Sequence, residues 1–159
     1  MTEAIASPHL TLNDGKNIPQ LGLGVFLVEP DEAERIVTDA LEIGYRHIDT
    51  ARIYKNEEGV GRAIAASAVP RDEIFVTTKL WNSDQGRDTA RGGLEKSLER
   101  LGLDHVDLYL IHWPSPKHGK HIESWEALIE LRDAGLATSI GVSNFMQTHL
   151  DDLAAATDV

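Results

Sequence analysis

Asp49, Tyr54, Lys79 and His112 are an acid, a phenol, an amine and an imidazole, each standing where a run of β-forming residues stops. Asp49 follows Tyr45–Ile48, and Tyr54 comes in the loop after it. Lys79 closes Ile74–Lys79, His112 follows Val106–Ile111, and Ser143 and Asn144 follow Ala137–Val142. Each position also has an ordinary explanation: Asp49 as a turn cap, Tyr54 as a surface loop residue, Lys79 as a solvated strand end, His112 as a histidine satisfied by backbone, Ser143-Asn144 as a helix cap. Their recurrence at the same end of successive strands outweighs those separate explanations, because strand ends are where a parallel α/β fold gathers its reacting groups.

Together these side chains suit proton delivery to a carbonyl oxygen. A phenol with an ordinary pKa near 10 is a weak acid at neutral pH. A neighbouring ammonium favours the phenolate, and a carboxylate keeps that ammonium charged and oriented. A neutral imidazole donates one hydrogen bond and steers the oxygen. Such a set protonates an alkoxide as it forms, which is the need of carbonyl reduction by hydride. No side chain supplies hydride, so a nicotinamide cofactor is required. Ser143 and Asn144 are candidates to bind its carboxamide, and Phe26, Trp81 and Trp113 serve either as apolar walls for nicotinamide and substrate or as core packing.

The elements that must position these groups follow from periodicity. His9–Leu12 alternates apolar and polar residues before the turn chemistry of Asn13-Asp14-Gly15-Lys16, which predicts a hairpin. Leu21–Phe26 is a first buried strand whose glycines suggest close backbone approach. Pro30-Asp31-Glu32 opens a helix with the stripe Ala33, Ile36, Val37, Ala40 and Leu41, ended by Gly44. Further helices are expected over Asn56–Ala66, from Asp88 to Leu101, over Ile122–Ala134 burying Trp125, Leu128 and Ile129, and from Met146. Strands starting at Leu21, Tyr45, Ile74, Val106 and Ala137 recur at about 30 residues, the size of a βα unit. Five units in one direction predict a parallel sheet with helices outside, in one domain over 1–159.

Composition sets the outer bounds. A chain of 159 residues with 42% hydrophobic and 26% charged residues is an ordinary globular one. A net charge of −11, spread along the chain, argues against nucleic acid and anionic membranes as partners. With no cysteine there is no thiol chemistry, and without a basic start or a long apolar run no signal peptide is expected, so the cytoplasm is the default location. Gly22 and Gly24 lack the third glycine of a dinucleotide fingerprint, and His112, His118 and His121 have no carboxylates spaced to make a metal site.

Several stretches then carry a family resemblance. Leu21-Gly-Leu-Gly24, Gly44-Tyr-Arg-His-Ile-Asp-Thr-Ala51 with Tyr54-Lys-Asn-Glu57, Thr77-Thr-Lys-Leu-Trp81, Asp107-Leu-Tyr-Leu-Ile-His-Trp-Pro114 and Ile140-Gly-Val-Ser-Asn-Phe145 occur in the order of aldo-keto reductase motifs. From about Leu10 onward the chain resembles that family, above all its bacterial diketogluconate-reductase-like members. The resemblance implies a (β/α)8 TIM barrel that reduces aldehydes and ketones with NADPH. It places the family's catalytic tetrad on Asp49, Tyr54, Lys79 and His112, with Tyr54 as general acid. Carboxamide contacts fall on Ser143 and Asn144, contacts near the ribose on Asp49 and the backbone of Gly24, Val25 and Phe26, and the substrate pocket on Phe26, Trp81, His112 and Trp113.

A (β/α)8 barrel typically takes about 250 residues, so an incomplete barrel of about five βα units behind an N-terminal hairpin is expected, with the last three strands absent. Such a sheet would expose two edges, a liability for association. Three functions stay open: a reductase of small carbonyl substrates using NADPH, with NADH not excluded; a half-barrel that forms homo-oligomers or binds a partner through its edges; and an aldolase whose Lys79 forms a Schiff base. The Asp-Tyr-Lys-His order favours the first.

Overall fold

The computed structural model describes residues 7–159. The expectation about a signal peptide falls in part on residues 1–6 and lies outside the described residues. The chain opens with the expected hairpin: β1 (His9–Thr11) and β2 (Asn17–Pro19) pair antiparallel, Leu10 opposite Ile18. Gly15 at φ 80° makes the turn, which only glycine enters without strain.

Five parallel strands follow, each leading into a helix. They are β3 (Leu23–Gly24), β4 (His47–Asp49), β5 (Phe75–Leu80), β6 (Val106–Ile111) and β7 (Ala137–Val142). The helices are α1 (Ala33–Ile43), α2 (Glu57–Ala66), α3 (Arg87–Leu101), α4 (His121–Asp133) and α5 (Gln147–Ala156). The sheet order β3-β4-β5-β6-β7 equals the chain order, so each βα unit adds one strand to the same side. Among the described residues the sheet does not close: β3 and β7 are its two edges.

Two strands are shorter than periodicity predicts. Gly44 at φ 111° ends α1, and the Tyr45 amide turns back to the Ala40 carbonyl, so Tyr45 belongs to the helix cap rather than to β4. The Arg46 guanidinium bonds the carbonyls of Leu41 and Tyr45, which holds that corner until His47. At the first strand, a Cβ on Gly22 would lie 2.6 Å from His47 Nδ1, so that glycine does answer to a close approach, whereas Gly24 has nothing within 4 Å of such a position. In α4, Leu131 is buried together with Trp125 and Leu128, and Ile129 is only half-buried.

The core lies between sheet and helices. Val76, Leu80, Tyr109 and Ile111 from the strands meet Val37, Leu41, Val60, Leu94, Leu98 and Leu128 from the helices. Each buried aliphatic contributes about 1.5–3 kcal/mol. A polar tie crosses this layer: Glu57, 1% exposed, accepts from Thr78 Oγ1 at 2.6 Å and from Arg100 Nε at 2.6 Å. The hairpin covers the end where strands begin, through Ser139 Oγ donating to Asp14 Oδ2 at 2.6 Å. The opposite end, where strands stop, is left for the polar residues.

Candidate active site

The four polar strand-end residues converge. Asp49 is the last residue of β4, and the amide of Val25 bonds its carbonyl, so the segment after β3 rides along the same edge. After Thr50 and Ala51, a single 3-10 turn, Arg52–Tyr54, carries Tyr54 back over the strand ends. Lys55 closes the turn at φ 60°. Lys79 stands in β5, one residue before its end, and His112 follows β6, its amide bonded to the Leu80 carbonyl.

Lys79 Nζ donates to Asp49 Oδ1 at 2.6 Å and to the Thr50 carbonyl at 2.8 Å, and lies 5.2 Å from the centre of the Tyr54 ring. His112 meets Tyr54 edge-on at 5.7 Å and Trp81 at 5.3 Å, and Phe26 packs on Tyr54 at 5.2 Å. The aromatic series Phe26, Tyr54, His112, Trp81 thus lines the strand ends. Phe26 is 64% exposed and Trp113 45%, so neither is a core residue, while Trp81 is half-buried.

Burial governs the proton affinities. It lowers Lys79, and Asp49 opposes that shift both by charge and by hydrogen bond. Burial, then the Lys79 charge, lowers His112 to about 4, with Asp49 acting the other way, so the imidazole is neutral at physiological pH. Tyr54 departs from what the sequence suggested. Its phenol is raised rather than lowered, first by burial and then by the Asp49 carboxylate. The ammonium itself is held by Asp49 and the Thr50 carbonyl.

Ser143 and Asn144 continue β7 toward the same end. The Ser143 amide bonds the Ile111 carbonyl, and Asn144, at φ 62°, donates through Nδ2 to the His112 carbonyl at 2.9 Å and to Ser143 Oγ at 3.0 Å. Asparagine tolerates the left-handed region better than most residues. A concavity of about 310 Å³ runs along the β3 edge and touches Gly24, His47 and Asp49. A larger one, about 550 Å³, lies at the hairpin end among His9, Lys16, Arg46 and Asp107, away from this cluster. The three histidines weighed as a metal site go separate ways: His118 bonds Ser115, and His121 packs on Phe145 and His149. Among the described residues no group of three potential ligands comes together.

Two buried amides escaped the sequence. Asn56, 1% exposed, binds Thr50 and the carbonyls of Val25 and Val28. Gln85, 2% exposed, donates to the Trp113 carbonyl at 2.6 Å. The one available signal was an Asn just before the acidic first turn of a helix, and it reads as a cap, which its side chain is not.

The family model "Aldo/keto reductase family" matches residues 20–159. Methylglyoxal reductase DkgA of Yersinia pestis is 54% identical over 152 residues, covering 96% of this chain and 54% of that protein. The crystal structure of an aldo/keto reductase from Brucella melitensis superposes with a TM-score of 0.93 at 53% identity, over 96% of this chain and 58% of that one. A Bombyx mori aldo-keto reductase in complex with NADP gives a TM-score of 0.90 at 42% identity, over 98% of this chain and 56% of that one. The chain spans about half the length of the curated relatives it matches. No helix among the described residues is long and apolar enough to cross a membrane. With the parallel sheet, the strand-end cluster and a match over nearly its whole length, the chain belongs to the aldo/keto reductase family.

Proposed function

We propose that this chain carries the catalytic end of an NADPH-dependent carbonyl reductase, with Tyr54 as general acid. The observation that carries it is the Lys79 ammonium, fixed between Asp49 and the Thr50 carbonyl and set 5.2 Å from the Tyr54 ring. A half-buried phenol with raised proton affinity keeps its proton until an alkoxide forms to take it. Lys79 then stabilises the phenolate, and Asp49 keeps Lys79 protonated against its burial. His112 is neutral, and its Nδ1 is buried without a partner, which favours the proton on Nε2, where it donates to the carbonyl oxygen.

The residues present fit a nicotinamide. Ser143 and Asn144 bring a hydroxyl and an amide beside His112, matching a primary carboxamide, and the open space at Gly24 leaves room for a ribose beside Gly24 and the exposed Phe26. Val25, expected to contribute its backbone, is instead fully buried with its amide and carbonyl both paired. When bound, the cofactor supplies the hydride. Phe26, Trp81 and Trp113 supply apolar walls for a small carbonyl substrate. Lys79 as a Schiff-base lysine is the weaker assignment, because two of its three N–H groups are already spent. An oligomerising half-barrel draws support only from the two sheet edges.

The test is NADPH consumption by the purified protein with methylglyoxal, NADH run alongside. We expect turnover in the wild type and its loss, by about 100-fold or more, in Tyr54→Phe, with NADPH still quenching tryptophan fluorescence. Equal turnover in Tyr54→Phe would remove the general-acid assignment.

A further inference from the structure

Asn56 begins α2 two residues after Tyr54, yet its side chain does not cap that helix. Its amide is directed elsewhere: Oδ1 accepts from Thr50 Oγ1 at 2.8 Å, and Nδ2 donates to the carbonyls of Val25 at 2.9 Å and Val28 at 3.0 Å. One buried amide therefore joins the turn after β3, the end of β4 and the start of α2. That turn needs holding. Leu27 sits at φ 62°, a left-handed conformation that costs a branched residue about 1–2 kcal/mol, and with the residue 81% exposed little burial offsets this. Within the turn, a single backbone bond closes it, from the Val28 amide to the Val25 carbonyl. The passenger of the turn is Phe26, whose ring lies 5.2 Å from Tyr54.

We propose that Asn56 is a positioning residue that holds the Val25–Val28 turn, and with it the Phe26 ring, against Tyr54. Thr50, whose hydroxyl Asn56 engages, offers its carbonyl to Lys79, so the same amide links the turn to the second anchor of the lysine. The consequence for catalysis rests on the function proposed above; the positioning of Phe26 does not.

Tyr54 provides the readout. Burial is the first cause of its raised proton affinity and the Asp49 carboxylate the second, while Lys79 and His112 face it from β5 and the end of β6. Releasing the turn withdraws Phe26 and admits water, so the phenol ionises closer to its ordinary value. The experiment is ultraviolet titration of tyrosinate in the wild type, Asn56→Ala, Asn56→Ser and Tyr54→Phe, the last identifying Tyr54 among the three tyrosines. Asn56→Ser introduces a hydroxyl able to cap α2 and so protects the fold, but it is too short to reach both carbonyls. We expect the Tyr54 titration to move down in both Asn56 variants. Adding Leu27→Gly, which removes the left-handed strain, should move it back. In the active protein, kcat/KM for NADPH falls by up to about 100-fold, mostly through KM. A merely stabilising Asn56 would lower Tm without moving the titration. An unmoved Tyr54 titration in folded Asn56→Ser, or a shift that Leu27→Gly does not restore, overturns the proposal. A wild type inactive toward carbonyls would count against reduction, while the titration would still decide the role of Asn56.

Discussion

At the scale of residues, burial does more than charge pairing to set the chemistry. His112 ionises near 4 because its ring is withdrawn from water and faces the Lys79 cation. Its folded pKa lies below its ordinary value of 6.5, so the folded protein binds fewer protons than the unfolded chain between those values. Stability from this residue is therefore full above pH 6.5 and is lost as pH falls toward 4. His47, lowered mainly by burial, adds to the same slope. We expect Tm to fall across that window, and to fall less steeply in His112→Asn, as read by calorimetry at successive pH values. For the same reason the activity profile should show no acid limb near pH 6.5 from His112.

At the scale of elements, the helices sit close enough to the sheet and to each other that some positions have no room for a methyl group. Gly61 in α2 and Gly92 in α3 are both helix-interior glycines, and alanine normally gains up to about 1 kcal/mol at such sites. At Gly92 a Cβ meets nothing within 4 Å, so Gly92→Ala should stabilise by that amount. At Gly61 it would stand 2.2 Å from the Leu101 carbonyl oxygen, a backbone atom that cannot step aside. Gly61→Ala should therefore destabilise by about 1–3 kcal/mol. Urea midpoints of the two variants, moving in opposite directions, would check that steric room rather than propensity decides.

At the scale of the molecule, the sheet has a covered face and an open one. The helices bury the Val76, Leu80 and Ile111 side, while Leu108 and Leu110 on alternate positions stay half-buried beside Thr77 and Lys79. Among the described residues β3 and β7 are the edges of the sheet, and each leaves one side of its backbone without a neighbouring strand. Such edges favour pairing between copies. Concentration-dependent association in sedimentation runs is the expected outcome, and Thr138→Lys, on the exposed start of β7, should weaken it. Equal association in that variant would place the contact elsewhere.

Much of this protein was decided by local patterning. The βα period, the glycines after α1 and α3, and polar residues closing successive β-rich runs are short-range facts, and they led to the parallel sheet and to Asp49, Tyr54, Lys79 and His112 on one end. What needed the tertiary structure were relations between residues far apart in the chain. Tyr45 lies in a helix cap because the Ala40 carbonyl claims its amide. Phe26 and Trp113 are exposed although their type suits a core equally well. Tyr54 is raised rather than lowered because the fold withdraws its ring from water and sets the Asp49 carboxylate near it. Asn56 looks like a helix cap until the Val25 and Val28 carbonyls, 31 and 28 residues upstream, take its two amide hydrogens. Residue type and spacing determine which groups reach the strand ends, whereas hydrogen-bond partners and water access, which depend on what the fold packs beside them, decide how each group behaves there.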